Sequence, residues 1–148
     1  MVYFSVIIPS ILLHRLERYV RSCQPMEACG ALLGHIEGTE IHISEFIPIP
    51  NTAVDPYHHF EFDGPAWVNC VMREPALIGI FHSHPASYPV PSEEDLQQLQ
   101  LFGAGLKAYL ITGSGNPSGS MFTAAYLVAP GAAPPSSLTL DPVPLRVT

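Results

Sequence analysis

Four residues with chemistry to offer lie close together in the second half of the chain: His82, His84, Ser92 and Asp95. An apolar run, Leu77 to Phe81, reads as a buried strand and ends in His82-Ser83-His84-Pro85. Residues at i and i+2 of an extended segment project to one side, so the two imidazoles share a face. A loop, Ala86 to Pro91, then leads to a helical pattern opened by Ser92, with Asp95 in its first turn. Two imidazoles and a carboxylate are the donor set of a catalytic zinc site, which keeps a fourth position for water. Zinc lowers the pKa of its bound water from about 15.7 to about 7, making hydroxide available at neutral pH.

Such a site needs a group to take the water's proton. Glu93 and Glu94 adjoin Asp95 on the helix and read as facing solvent, which leaves Glu27 as the best remote candidate. Glu27 opens a small-residue strand that could lie beside the Leu77–His84 segment. Ser92 precedes Asp95 by three residues, so both fall on nearly the same helix face. Its hydroxyl could hydrogen-bond a developing oxyanion. Ser92 with Asp95 also makes an ordinary capping box, and the two roles can coexist.

Blander readings stand beside these. The His-x-His pair alone also fits an exposed strand end or half of an all-β cupin-type site, but no acid follows within Pro85 to Tyr88. No H-E-x-x-H occurs, which excludes the thermolysin-like class. Cys29 reads as a buried small hydrophobe rather than a nucleophile. Adjacent residues of a strand face opposite ways, so His58 and His59 read as structural or surface groups, with one able to line a groove. His14, His35 and His42 fall on polar faces and receive no role. The helical stripe containing Trp67 is core.

The elements that must position these residues follow from periodicity. Val2 to Ile8 reads as a strand, with Ser10 as a possible cap for an amphipathic helix over Ile11 to Cys23. Ala28 to Ile36 and Thr39 to Ile47 read as an antiparallel pair around a turn at Glu37-Gly38. Gly30 and Gly34 suggest close approach of another backbone. A loop precedes a short strand, Tyr57 to Phe62, and a helix over Ala66 to Arg73 starts at Asp63-Gly64-Pro65. After the helix over Ser92 to Phe102, strands over Leu106 to Thr112 and Met121 to Val128 flank a turn, Gly113 to Ser120. Ala129 to Ser137 reads as irregular. Leu138 to Val147 can return as a strand, and Pro142 and Pro144 confine it to an edge. This order of helices and hairpins predicts one mixed α+β or α/β domain, a three-layer sandwich around a mixed sheet.

Composition narrows the function classes. The chain has 148 residues, 47% of them apolar, enough for one domain with a real core. Thirteen acids against six basic residues give a net charge of −7, and no Lys/Arg cluster offers a nucleic-acid surface. Three cysteines, Cys23, Cys29 and Cys70, with no C-x-x-C pair, argue against a disulfide framework and favour a reducing, cytoplasmic setting. The apolar N-terminus lacks a basic leader region and a cleavage site, and no run is long enough to span a bilayer.

Taken together, Glu27, His82-Ser83-His84-Pro85, seven residues, Ser92, two residues and Asp95 resemble the motif of the JAMM/MPN-domain zinc metalloproteases, at every position. Pro25 to Gly34 resembles the segment around the catalytic Glu of small prokaryotic members, and Asn51 to Asp63 the segment before their second helix. The resemblance runs from about Val2 to Val128. It implies a curved, mostly antiparallel mixed sheet flanked by helices, of the cytidine-deaminase-like type. It also implies a catalytic domain over 1–128; residues 129–148 lie beyond the resemblance and read from composition as a Pro-rich tail that can add an edge strand. The resemblance further implies one Zn²⁺ per chain, held by His82, His84 and Asp95, with Glu27 as general base and Ser92 stabilising the tetrahedral intermediate. The implied reaction is hydrolysis of an amide or isopeptide bond at the C-terminus of a ubiquitin-like or sulfur-carrier protein. We expect the extended tail of that substrate to pair with a free strand edge beside the metal. The alternative is a non-catalytic scaffold of the same family. Uncovered edge strands would make a homodimer plausible.

Overall fold

The computed structural model describes residues 2–114, 120–131 and 137–148. Along them run β1 (Ser5–Ile8), α1 (Ser10–Cys23), β2 (Cys29–Glu37), β3 (Glu40–Pro48), α2 (Gly64–Arg73), β4 (Leu77–His84), α3 (Glu93–Phe102), β5 (Ala108–Ser114), β6 (Met121–Pro130), β7 (Leu138–Val143) and β8 (Leu145–Val147). The strands form one eight-stranded mixed sheet in the order β7-β6-β5-β4-β2-β3-β1-β8. The central strand of the motif, β4, pairs antiparallel with β2 and parallel with β5.

The two faces of the sheet are covered by different helices. Leu12 and Leu16 of α1 pack with Ile8, Leu32, Ile41, Phe81 and Leu110. Leu99 of α3 packs with Ile80, Tyr109 and Ile111, and Cys70 of α2 packs with Ala31 and Ile49. Ile80 and Phe81 are neighbours on β4, so the two clusters lie on opposite faces. Each fully buried aliphatic side chain in them is worth about 1.5–3 kcal/mol of transfer free energy. The β2–β4 register shifts where Leu32 faces Gly79 and Leu33 faces Leu77, which leaves Ile78 as the extra residue. The bulge turns Ile78 toward the α1 side, and beyond it Ile80, His82 and His84 all face α3.

Gly30 shows why β2 is built from small residues. A Cβ there would collide with the Ile47 carbonyl and the Phe81 ring, so only glycine lets the three strands close up beside the motif.

Several expectations are corrected. Ser10 is the first residue of α1 rather than its cap; Pro9 occupies the cap position without a side-chain hydrogen bond. The segment over Tyr57 to Phe62 is a turn followed by extended chain, with a single bridge between Asn51 and Phe62. Leu138 to Val147 is two strands at opposite ends of the sheet. β7 lies antiparallel on β6 and β8 parallel on β1, with only Pro144 between them. One residue cannot cross an open sheet of eight strands, so the sheet curls until its ends nearly meet. Pro144 sits at this seam and its carbonyl accepts from Val6 N (3.0 Å). The expected turn Gly113 to Ser120 and irregular stretch Ala129 to Ser137 fall partly outside the described residues.

Among the described residues no helix is long and apolar enough to cross a membrane. The three cysteines are free, with Cys29 and Cys70 buried.

Candidate metal centre

β4 ends with its histidines buried and aimed at the first turn of α3. His82 is fully buried, and His84 and Asp95 are nearly so. Nε2 of His82 lies 3.0 Å from Nε2 of His84, and Nε2 of His84 lies 3.1 Å from Asp95 Oδ2. Nε2 of His82 lies 3.3 Å from Asp95 Oδ1. Asp95 is held in place by the cap of α3: Ser92 Oγ accepts from Asp95 N (3.0 Å) and Ser92 N donates to Asp95 Oδ2 (2.9 Å). One carboxylate therefore both closes the capping box and faces the two imidazoles, and three acids in the first turn match the positive end of the helix dipole.

The far sides of the imidazoles are fixed too. Nδ1 of His84 donates to the Tyr88 carbonyl (2.8 Å), which can only accept. In the neutral ring its Nε2 then carries the lone pair. Nδ1 of His82 meets the Tyr109 hydroxyl at 3.1 Å, and Phe60 stacks on the His82 ring at 4.6 Å between centroids. Loop 85–91 is pinned so that Tyr88 reaches its place. Ser114 N donates to Ser87 O (2.8 Å) and the Tyr126 hydroxyl to Pro89 O (2.6 Å). Gly113 permits this, since a Cβ on it would stand 2.5 Å from Ser87 O.

This arrangement fits a zinc-sized cation. Ligands about 2.0–2.1 Å from a tetrahedral zinc lie about 3.3 Å from one another. The three nitrogen–nitrogen and nitrogen–oxygen separations are 3.0, 3.1 and 3.3 Å. Two lone-pair nitrogens facing each other beside a carboxylate repel unless a cation or proton lies between them.

The same contacts set the protonation of the three groups. Burial alone would raise Asp95, yet hydrogen bonds and charge from His82, with those from His84 and Ser92 N, hold its carboxyl well below the usual carboxylate range. Burial pushes His82 down despite the pull of Asp95. Burial also opposes the charged form of His84, but Asp95 and the Tyr88 carbonyl outweigh it and raise that ring.

The structure brings Glu27 to the same place. Glu27, His84 and Ser92 line one cleft of about 350 Å³, together with Tyr57, His58 and Pro85. β2 begins two residues after Glu27, and Cys29 stands opposite His82 in the sheet. Glu27 is buried, and its Oε1 meets no hydrogen-bond partner among the described residues. Burial pushes its carboxyl up to about 8, His84 working against the rise and Asp95 adding to it. Its backbone is fixed by Glu27 N to Pro56 O (2.8 Å) and by Asn51 Nδ2 to Glu27 O (3.0 Å).

Other candidates take ordinary places. Cys29 donates to Ile49 O (3.3 Å), and burial pushes its thiol up to about 12, where it is no nucleophile at neutral pH. His58 pairs with Asp55 (2.9 Å) and lines the cleft. His59 pairs with Glu94 (2.7 Å), so Glu94 ties the 51–62 segment to α3 rather than simply facing solvent. A free strand edge beside the ligands is not available on β4, because β2 and β5 occupy both its sides. Sequence reasoning missed Tyr109, Phe60, Asn51 and the role of Ser83. Tyr109 carried a usable signal: a tyrosine in a run expected to be a buried strand needs a partner for its hydroxyl.

The family of prokaryotic homologs of the JAB domain matches residues 9–126. Desampylase of Haloferax volcanii is 31% identical over 78 residues, covering 50% of this chain and 55% of that protein. The match thus spans little more than half the length of that curated relative. The solution structure of a protein from Desulfitobacterium hafniense superposes with a TM-score of 0.72, at 24% identity, covering 97% of this chain and 94% of that one. That likeness is one of fold.

Proposed function

The chain belongs to the family of prokaryotic JAB-domain homologs, and from that premise we propose that it is a zinc-dependent peptidase. Its substrate is an amide or isopeptide bond at the C-terminus of a ubiquitin-like or sulfur-carrier protein. The observation that carries this reading is buried Glu27, whose Oε1 meets no hydrogen-bond partner among the described residues and which opens on the same cleft as His84 and Ser92. A scaffold that only bound partners would gain nothing from an unsatisfied buried acid, which costs about 1–3 kcal/mol. The name of the Haloferax relative, a desampylase, points to the same substrate class.

His82, His84 and Asp95 are the residues that would hold the ion, which when bound acidifies a water and polarises the scissile carbonyl. Glu27 takes the proton of the attacking water as the new carbon–oxygen bond forms. It returns that proton to the amine nitrogen as the carbon–nitrogen bond breaks. Ser92 accepts a hydrogen bond from Asp95 N and keeps its own hydroxyl hydrogen for the carbonyl oxygen as that oxygen gains charge. Tyr109 and the Tyr88 carbonyl orient the two imidazoles, as outer partners of metal-binding histidines do.

The cleft continues into a trough between Gln24-Pro25, Tyr57-His58 and Pro85-Ala86. A thin, Gly-rich tail suits this passage. Since β4 offers no free edge, the tail runs between Tyr57-His58 on one side and Pro85 to Ser87 on the other. The test is incubation of the zinc-loaded protein with ubiquitin-like proteins conjugated through their C-termini, with mass spectrometry of the products. Cleavage directly after the tail supports the reading. Intact conjugates from a zinc-loaded protein contradict it and favour the scaffold.

A further inference from the structure

A second group of metal-type ligands stands at the far end of the sheet, on the β2–β3 hairpin. His35 and His42 are directly opposed in the register, as are Glu37 and Glu40. His35 and Glu37 are two apart on one strand, and Glu40 and His42 two apart on the other. All four side chains therefore project from one face of the hairpin end. Gly38, with φ +59°, makes the turn that sets this register.

The side chains converge rather than spread. Glu37 Oε1 lies 3.2 Å from His35 Nε2, and Glu37 Oε2 lies 3.3 Å from His42 Nε2. Glu40 Oε1 lies 3.2 Å from the same His42 nitrogen. The His35 and His42 rings stack at 5.1 Å between centroids. One nitrogen or oxygen from each of His35, Glu37 and His42 lies within 4.8 Å of the others. The 3.2 and 3.3 Å separations, one to each oxygen of Glu37, are hydrogen-bond lengths in the metal-free chain and lie close to the roughly 3.3 Å that separates neighbouring ligands of a tetrahedral zinc.

The charges also ask for a cation. Two carboxylates directly opposite each other across a strand pair repel. Arg146 on β8 reaches Glu40 Oε2 (2.7 Å) and satisfies that side only. Both oxygens of Glu37 are turned instead toward the two imidazoles. His35 lies six residues along β2 from Cys29, roughly 20 Å from the buried cluster. The two groups are therefore separate.

We propose that His35, Glu37 and His42 form a second, surface site for a borderline divalent transition-metal ion such as Zn²⁺, with Glu40 bridging it to Arg146. A bound ion there clamps the two strands together beside the turn, and through Arg146 it ties the hairpin to the strand that closes the sheet. This proposal is independent of the peptidase reading.

The test is a zinc titration of the chelator-stripped, full-length protein by calorimetry, with total metal counted after dialysis. Wild type should take up two equivalents, and His35→Ala/His42→Ala one. His82→Ala/His84→Ala should also take up one, lost on adding His35→Ala/His42→Ala. Glu37→Gln should weaken the surface site by at least the roughly 10-fold that loss of even an outer partner costs. Imidazole NMR signals of His35 and His42 in wild type should shift as the ion is added, a readout that needs no variant to fold. If those signals stay still at micromolar free zinc, or if His35→Ala/His42→Ala binds as much zinc as wild type, the site does not exist. Loss of the buried equivalent alone would count against the catalytic centre and leave this site standing.

Discussion

Ser83 and Ala28 are joined twice: Ser83 N donates to Ala28 O (3.0 Å), and Ser83 Oγ accepts from Ala28 N (2.8 Å). Ser83 stands between the two histidines, and Ala28 follows Glu27. The residue between the two histidines thus sets the position of Glu27, although its side chain faces away from the cleft. Ser83→Ala removes the acceptor and leaves a buried N–H unpaired, a loss of about 1–3 kcal/mol. Ser83 is a positioning residue, so kcat should fall by roughly 10- to 100-fold while zinc content stays whole. Parallel steady-state kinetics and metal analysis check this; Ser83→Thr, which restores an acceptor, should recover part of the rate.

Tyr109→Phe probes the other side of the site. The hydroxyl is the partner of His82 Nδ1, and the ring is fully buried, so the substitution changes one hydrogen bond and little packing. Zinc affinity should fall about 10- to 100-fold. Competition with a chromophoric chelator measures it, and an unchanged affinity would remove Tyr109 from the site's support.

The chemistry of the site was largely legible in the chain because it is local. Strand, turn and helix cap place His82, His84, Ser92 and Asp95 within fourteen residues, and each element has its own periodic or capping signal. Glu27 depended on resemblance, since only strand pairing brings it near. The closure of the sheet by β7 and β8 was hidden because Leu138 to Val147 reads equally as one strand; only two distant partners divide it at Pro144. The hairpin cluster could have been read. His35-x-Glu37 and Glu40-x-His42 are mirror images about Gly38-Thr39, and a two-residue turn puts each opposite its like.

Glu27 predicts a pH signature for the metal-free protein. Burial raises its carboxyl from an ordinary 4.5 to about 8, so between these values the folded chain holds a proton that the unfolded chain has released. Stability contributed by this group must then fall as pH rises through that window. Urea unfolding of chelator-treated protein should show the decline, and Glu27→Gln should flatten it. Equal slopes in the two proteins would mean that Glu27 is not desolvated. A bound cation favours the carboxylate, so adding zinc should also reduce the slope.

The central claim is that Glu27 moves the proton for hydrolysis at a centre held by His82, His84 and Asp95. Zinc content and conjugate cleavage, measured on the same preparations of wild type and Glu27→Gln, address it most directly. The account predicts the same buried zinc equivalent in both proteins and a turnover about 10²- to 10⁴-fold lower in the variant. A Glu27→Gln protein that carries its zinc and cleaves at near-wild-type rate would contradict it.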